Sequence, residues 1–516
     1  MRRTILALAF ILALLLSTVA GPLFLSTSSA QSPEAITIKA SGNVEGTDKI
    51  QRDGDVYLFK GSISGSIVVE RDNMVLDGAG YVLQTSSDWG VGVDIRDRNN
   101  ITVKNLTIKG ALGRCGILLI NAINCKISQN NIIDNLNGIE MTDTSSRNWI
   151  TENRIQNNSV GMEIYSVHPG SDNTISENVV LNNHFGMQVK DFLNTDIFGN
   201  NITSNTWGLG LGLGSGSTAR NNVMENNTYG FRAFNVQAVN VDVDTSNTVN
   251  GKPIIYWVDQ HDKTVPADAC YVALIGCTGI KVENLNLNGN LEGVFLGSTS
   301  DSEIINNWIS NNLFGVNFDA SSNNTISGNH ITGNENGINL RWKSTNNTIQ
   351  GNHITANTAI GIYIAESDTN SIIGNNIANN DVGVYTEYCG KPNIFHHNNF
   401  VNNTEPWDDI GFTPWPIPLP ISTSIWDDGK EGNYWSGYSG EDIDGNGIGD
   451  TPYIIGTNNK DRFPLMNPVV IPEPPDGASE PEPFPTIWVA AIAAVVGVGL
   501  MVYFMKVKKT TRRFEG

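Results

Sequence analysis

A glycine followed by alternating apolar residues returns at Gly92, Gly116, Gly138, Gly161, Gly186, Gly208 and Gly230, then at Gly293, Gly315, Gly337, Gly361 and Gly383. The intervals are 22 to 25 residues, apart from one of 63 where an insertion falls. A fixed period of this length marks a solenoid, because one repeat can bury its apolar side only against its neighbours. A second marker keeps the same beat. Asn, any residue, then an apolar residue recurs at Asn130, Asn153, Asn178, Asn200 and Asn221, and again at Asn307, Asn329, Asn352, Asn375 and Asn398.

Leucine-rich repeats share this period, so residue type must decide. The units here carry β-branched residues at period two, broken by Asn and Gly, with neither a leucine consensus nor a helical pattern. Each unit reads as short strands joined by tight bends. The expected fold is therefore an all-β, right-handed parallel β-helix whose rungs stack about 4.8 Å apart. The recurrent Asn suits a bend where its amide bonds its counterpart on the next rung, and the glycine is expected to supply a positive φ.

The ends bear on location. Arg2 and Arg3 precede an apolar run from Ile5 to Leu16 and then small residues, the order of a secretory signal cleaved after Ala20 or Ala30. Ile487 to Met505 contains no charge and is long enough to cross a bilayer; Lys506, Lys508, Lys509, Arg512 and Arg513 follow, which places the C-terminus in the cytoplasm. The expected order is a signal peptide at 1–30, a β-helix at 31–400 with an insertion at about 236–278, and a cap at 401–467. A Pro/acidic linker at 468–485, a transmembrane helix at 486–505 and a basic tail at 506–516 complete it. The linker reads as a semi-rigid spacer lifting the body off the membrane. The net charge of −20 argues against nucleic acid or anionic lipid as a partner of the ectodomain. Of five cysteines, Cys115 with Cys125 and Cys270 with Cys277 are near enough in sequence to pair, leaving Cys389; buried thiols are the alternative.

Two stretches stand out from the repeat: NTVNGKPIIYW, Asn247 to Trp257, and GNYWSGYSGEDIDGNGIGDTPY, Gly432 to Tyr453. With the repeats they make residues 55 to 466 resemble the carbohydrate-binding and sugar-hydrolase group of β-helix proteins, and NosD-type proteins in particular. That resemblance implies carbohydrate binding or processing, or a part in maturing the copper site of nitrous oxide reductase.

Four groups of residues are candidate sites. Asp442, Asp444, Asn446, Ile448 and Asp450 occupy positions 1, 3, 5, 7 and 9 of an oxygen-ligand calcium loop, with Gly447 at the sharp turn. Tyr453 stands where a bidentate Glu is expected at position 12, and Asp461 is a nearby substitute. The residue two after each glycine should point outward: Asp94, Leu118, Glu140, Glu163, Gln188, Gly210 and Arg232. Glu140 and Glu163, one rung apart, with Lys190 and Arg232, form a catalytic candidate for sugar chemistry. Phe185, Trp207 and Tyr229 precede the glycine on three successive rungs, as a sugar platform or an internal ladder. Beside them Trp207 to Ser217 alternates leucine and glycine, leaving bare backbone for a polymer or for the insertion folding back. His330 and His353 share a place on neighbouring rungs and could meet one transition-metal ion, although no Met/His/Cys cluster selects Cu(I). His396 and His397 are adjacent, so only one is expected to face any given direction. The leading expectation is a tethered cell-surface module that binds polysaccharide or a protein without catalysis. A NosD-like copper accessory and a polysaccharide lyase, epimerase or hydrolase are the alternatives.

Overall fold

Each rung makes three strands and three corners. In the computed structural model, which describes residues 35–85, 90–166, 168, 170–234, 241–408, 423–456 and 458–473, six-residue strands stack in parallel register along one long face. They run through Cys115–Ile120, Asn137–Thr142, Val160–Tyr165, Phe185–Lys190 and Trp207–Gly212. A second face stacks Lys126–Ser128, Trp149–Thr151, Thr174–Ser176 and Asp196–Phe198. A third stacks Asn131–Ile133, Arg154–Gln156, Val179–Leu181 and Asn201–Thr203. About 15 turns form this way. The signal peptide and transmembrane segment expected from the sequence lie outside the described residues. Among the described residues no helix is long and apolar enough to cross a membrane.

The period-two pattern does what it predicts. Met187 and Val189 enter the core while Gln188 and Lys190 face out, and Ile127, Ile150, Ile175 and Ile197 stack as a fully buried ladder. The asparagines form a second interior ladder. Asn153 donates from Nδ2 to Asn178 Oδ1 on the next rung at 3.0 Å, and Asn178 does the same to Asn200 at 3.0 Å. This ladder continues through the buried Asn222, not through Asn221, which is an exposed corner residue with φ of 52°.

The recurrent glycine has a different cause from the one expected. The beat glycines do not adopt positive φ; Asn and Asp fill many of the left-handed corners. At Gly161 a Cβ would stand 2.4 Å from the carbonyl oxygen of Gly186 and 2.8 Å from Val180 Cγ1. Close approach between rungs excludes any side chain there.

The 63-residue interval contains a junction. Thr248–Val249 ends the third face and turns back through Asn250 and Gly251, both at positive φ, into Lys252–Val258. Asn-Gly is the preferred pair for such a two-residue hairpin. From Lys252–Val258 a second stack of long strands runs through Tyr271–Ile275, Glu292–Gly297 and Phe314–Asp319 to Glu405–Asp408. Two buried clusters result, and the first strands of the second stack serve both. Ile254, Tyr256, Tyr271, Ala273 and Phe295 join the first core, whereas Ile255, Val272, Leu274, Val294 and Leu296 join the second. This explains why Tyr271–Ile275 is buried on both sides.

The other distinctive motif is a cap. Trp426 and Trp435 lie flat on Phe395 and Phe400, with ring centroids 4.3 and 4.2 Å apart, and seal the second core. Asn433 terminates the asparagine ladder from Asn398, and the buried Asp461 accepts from Asn433 N and Trp435 Nε1 at 2.6 and 2.9 Å. All five cysteines are buried, and Cys115, Cys125, Cys270 and Cys277 are free thiols. The expected disulfides are absent: Cys115 begins a long-face strand, and Cys125 lies past the next corner, where its Sγ contacts Ile123 O at 3.4 Å.

Candidate functional site

The outward positions of the long face align as read from the sequence. Asp94, Leu118, Glu140, Glu163, Gln188, Gly210 and Arg232 are paired rung to rung in a single line. Outward is not the same as exposed. Leu118 is 0% and Glu140 only 5% accessible. Arg114, one rung earlier, grips Glu140 as a fork, Nε to Oε2 at 3.1 Å and Nη2 to Oε1 at 2.8 Å. A carboxylate held in a bidentate ion pair is not free to act as acid or nucleophile. Glu163 accepts from Asn137 Nδ2 at 2.8 Å, and burial together with Glu140 raises its pKa.

The glycine strip at 207–217 is not left bare. Phe234 lies across it, so that a Cβ on Gly210 would stand 3.0 Å from the Phe234 ring. Lys190 Nζ and Arg232 Cζ sit 4.0 and 4.3 Å from the centroid of that ring, within cation–π range. Burial first, and Arg232 second, lower the Lys190 pKa. The four catalytic candidates thus form one belt, in which Glu140 is locked and the two cations rest against an aromatic ring.

Phe185, Trp207 and Tyr229 stack on the outside of the coil, each half-buried. Their centroids are 5.3 Å apart at 27° and 5.2 Å apart at 53°. With Gln188, Arg232 and Phe234 they border a cavity of about 20 Å³, room for about one water. The arrangement offers a ridge and a shallow cleft beside it, not a closed pocket.

The remaining candidates sit elsewhere. In the 442–450 loop, Asp442 accepts from Asn446 N and Gly447 N at 3.0 and 2.9 Å, and Asp450 from Ile443 N at 2.7 Å. These amides, Gly447 first, lower the Asp442 pKa. Asn446 Oδ1 accepts from Ile448 N at 2.8 Å, and Asp444 accepts from Asn446. Asp461 is taken up elsewhere, accepting from Asn433 N, Trp435 Nε1 and Phe463 N. His330 and His353 do stack, centroids 5.2 Å apart, and a strap of chain covers them. Val469 exchanges two 2.8 Å hydrogen bonds with the Asn399 side chain, Pro472 O lies 3.3 Å from His353 Nε2, and Glu473 Oε2 lies 3.5 Å from His330 Nε2. The described start of the Pro/acidic linker therefore packs along the third face instead of leaving the coil. His396 and His397, expected to diverge, meet at Nδ1–Nδ1 2.7 Å because His397 occupies a left-handed corner with φ of 57°.

Sequence reasoning missed Glu292. It is 1% exposed at the junction of the stacks and accepts from Tyr271 OH at 3.1 Å, and burial pushes its pKa up to about 7 against the opposing effect of Arg232. No repeat signal could have found it. The equivalent residues of the next rungs are Phe314 and Asn336.

Fold and site together define a right-handed parallel β-helix with an aromatic and charged long face. A family profile described as right handed beta helix region matches residues 91–252, and one described as periplasmic copper-binding protein (NosD) matches 237–440. Together with the solenoid, these two matches support a NosD-type right-handed parallel β-helix protein. Comparison with curated proteins finds no match. Among solved structures, the periplasmic alginate epimerase AlgG is 13% identical, covering 77% of this chain and 82% of its own, with a TM-score of 0.26. The A-module of the Azotobacter vinelandii mannuronan C-5 epimerase AlgE4 is 14% identical, covering 70% and 91%, with a TM-score of 0.30. The Dettilon tailspike protein is 12% identical, covering 66% and 62%, with a TM-score of 0.23. At these scores the likeness carries no argument about chemistry.

Proposed function

We propose that this protein is an exported, membrane-tethered surface module that holds an extended sugar polymer, without cleaving it, against the long face of its first stack. The observation that carries this reading is the ridge of Phe185, Trp207 and Tyr229, stacked outward on successive rungs. Aromatic faces pack on the apolar faces of sugar rings, and an open ridge admits a chain of any length. Lys190 and Arg232 beside the ridge favour an acidic polymer. The bidentate Arg114–Glu140 pair argues against two-carboxylate hydrolysis. Tethering rests on the signal-like first 30 residues and the uncharged run at 487–505. The same reading assigns calcium to the Asp442–Asp450 loop, whose amides fold it over its own carboxylates.

The test is retention of the full-length chain on immobilised acidic and neutral polysaccharides, with released oligosaccharide scored in the same wells. Retention without product is expected. Product would overturn the non-enzymatic reading and bring forward a lyase, epimerase or hydrolase, for which Glu163→Gln should abolish turnover.

A second reading is favoured by the NosD profile over 237–440: an accessory to a copper enzyme such as nitrous oxide reductase. The donors that cluster on that span are two imidazoles and a carboxylate, and its cysteines are buried. Such donors suit Cu(II) rather than Cu(I). Copper exchange with a partner apoenzyme tests this reading.

A further inference from the structure

We propose that His396, His397 and Asp428 bind one divalent, imidazole-preferring metal ion that fastens the C-terminal cap to the last rungs of the second stack. Among the described residues, these three alone bring one donor atom each from His, Cys, Asp or Glu within 4.8 Å of one another. Asp442, Asp444 and Asp450 of the calcium-like loop do not. The site is independent of the polymer-binding ridge, which lies on the first stack.

The donors come from two pieces of chain. His396 ends the second-face strand Ile394–His396, and His397 is the left-handed corner that follows. Asp428 belongs to the turn leading into the cap, closed by Asp428 N donating to Glu431 O at 3.0 Å. Asp428 accepts the amides of Lys430 and Glu431 on the same oxygen, Oδ1, each at 2.8 Å. Its Oδ2 carries no hydrogen bond among the described residues. Both amides point at the carboxylate and keep it ionised, which its lowered pKa reflects.

Glu431 supplies what a metal-bound imidazole ordinarily needs. Its Oε2 lies 2.7 Å from His397 Nε2. A carboxylate behind the ring fixes the proton on Nε2 and turns the Nδ1 lone pair toward the ion. With that tautomer set, the proton in the 2.7 Å Nδ1–Nδ1 contact belongs to His396. Coordination through both Nδ1 atoms therefore requires the His396 proton to sit on Nε2 instead of Nδ1. Two nitrogens at about 2.0 Å from a tetrahedral ion stand about 3.3 Å apart. The rings must therefore open by roughly half an ångström, which two half-buried side chains beside an exposed turn can do. Two nitrogens and a carboxylate oxygen suit Zn(II), Ni(II) or Cu(II), with Cu(II) the tightest. Three protein ligands leave a fourth position for water.

The experiment uses the full-length chain stripped with a chelator. Zn(II) alone is titrated calorimetrically, and Cu(II) alone is followed by electron paramagnetic resonance. One saturable equivalent is expected, tighter for Cu(II), with nitrogen hyperfine structure and a raised unfolding temperature. His397→Asn keeps a residue that tolerates the left-handed corner and should weaken binding at least tenfold, as should His396→Gln. Glu431→Gln should cost about 10- to 100-fold, and His330→Gln with His353→Gln should leave the equivalent intact. Asp428 is exposed, so Asp428→Asn keeps the test valid if a histidine variant fails to fold. No saturable binding, or binding indifferent to His396→Gln and His397→Asn, overturns the proposal and leaves an ordinary imidazole hydrogen bond.

Discussion

Replacing Asn352 by Ala tests whether the interior asparagine ladder holds the rungs together. Asn352 Oδ1 accepts from Asn329 N and Nδ2 at 3.0 and 2.9 Å. Its Nδ2 donates to Ile326 O, Gln350 O and Asn375 Oδ1 at 2.9, 3.1 and 3.0 Å. Five side-chain hydrogen bonds vanish with the amide, and their surviving partners are not equally hurt. Asn329 Nδ2 keeps Ile304 O and Ser327 O, and Asn375 Oδ1 keeps Asn352 N. Asn329 N loses its partner at a position where water cannot replace it. An orphaned buried donor costs about 1–3 kcal/mol, and each other lost bond roughly 0.5–1.5 kcal/mol. With partial relaxation the sum is about 3–5 kcal/mol, in the diagnostic tail for single substitutions. Denaturant midpoints combined with hydrogen exchange at the Asn329 amide measure it, the latter because repeat arrays need not unfold in one step. Asn376→Ala, only partly buried on the next rung, is the control and should stay within about 0.5 kcal/mol. A loss under about 1 kcal/mol for Asn352→Ala, with the Asn329 amide still protected, would refute the argument.

Other outcomes follow from the sites. Glu292 has its pKa raised from 4.5 to about 7, so the fold favours its protonated form. Stability from this group is intact below about pH 4.5, declines toward pH 7 and is lower by about 3 kcal/mol above it. Glu292→Gln should therefore raise the urea midpoint at pH 8 and leave it nearly unchanged at pH 4.5; an equal effect at both would remove burial as the cause. Trp207→Ala should weaken polysaccharide retention at least tenfold, about 1.4 kcal/mol, while Trp149→Ala on the second face should not change it. Millimolar calcium should raise the unfolding temperature, by the equivalent of about 2.7 kcal/mol at a hundredfold excess over Kd. Asp444→Asn should cancel that rise, and a rise that persists would move calcium out of the 442–450 loop.

The sequence alone determined the stack and everything that depends on registry along it. A repeat of 22 to 25 residues makes each residue the neighbour of its equivalent one rung away. For that reason the line from Asp94 to Arg232, the ridge from Phe185 to Tyr229 and the pair of His330 with His353 were all legible beforehand. Tertiary structure decided what lies sideways to the stack. Arg114 closing on Glu140, Phe234 crossing Gly210 and the strap over His353 join residues with no periodic relation, so the repeat carries no trace of them. The glycine beat was visible while its cause was not, because a close approach of two backbones involves no side-chain pattern. The same holds where the repeat breaks. Which strands serve two cores, why Glu292 is buried at the junction and how His397 turns its ring onto His396 depend on where one stack ends and another chain segment arrives. Those contacts are set by shape and burial in three dimensions, and periodicity is silent about them.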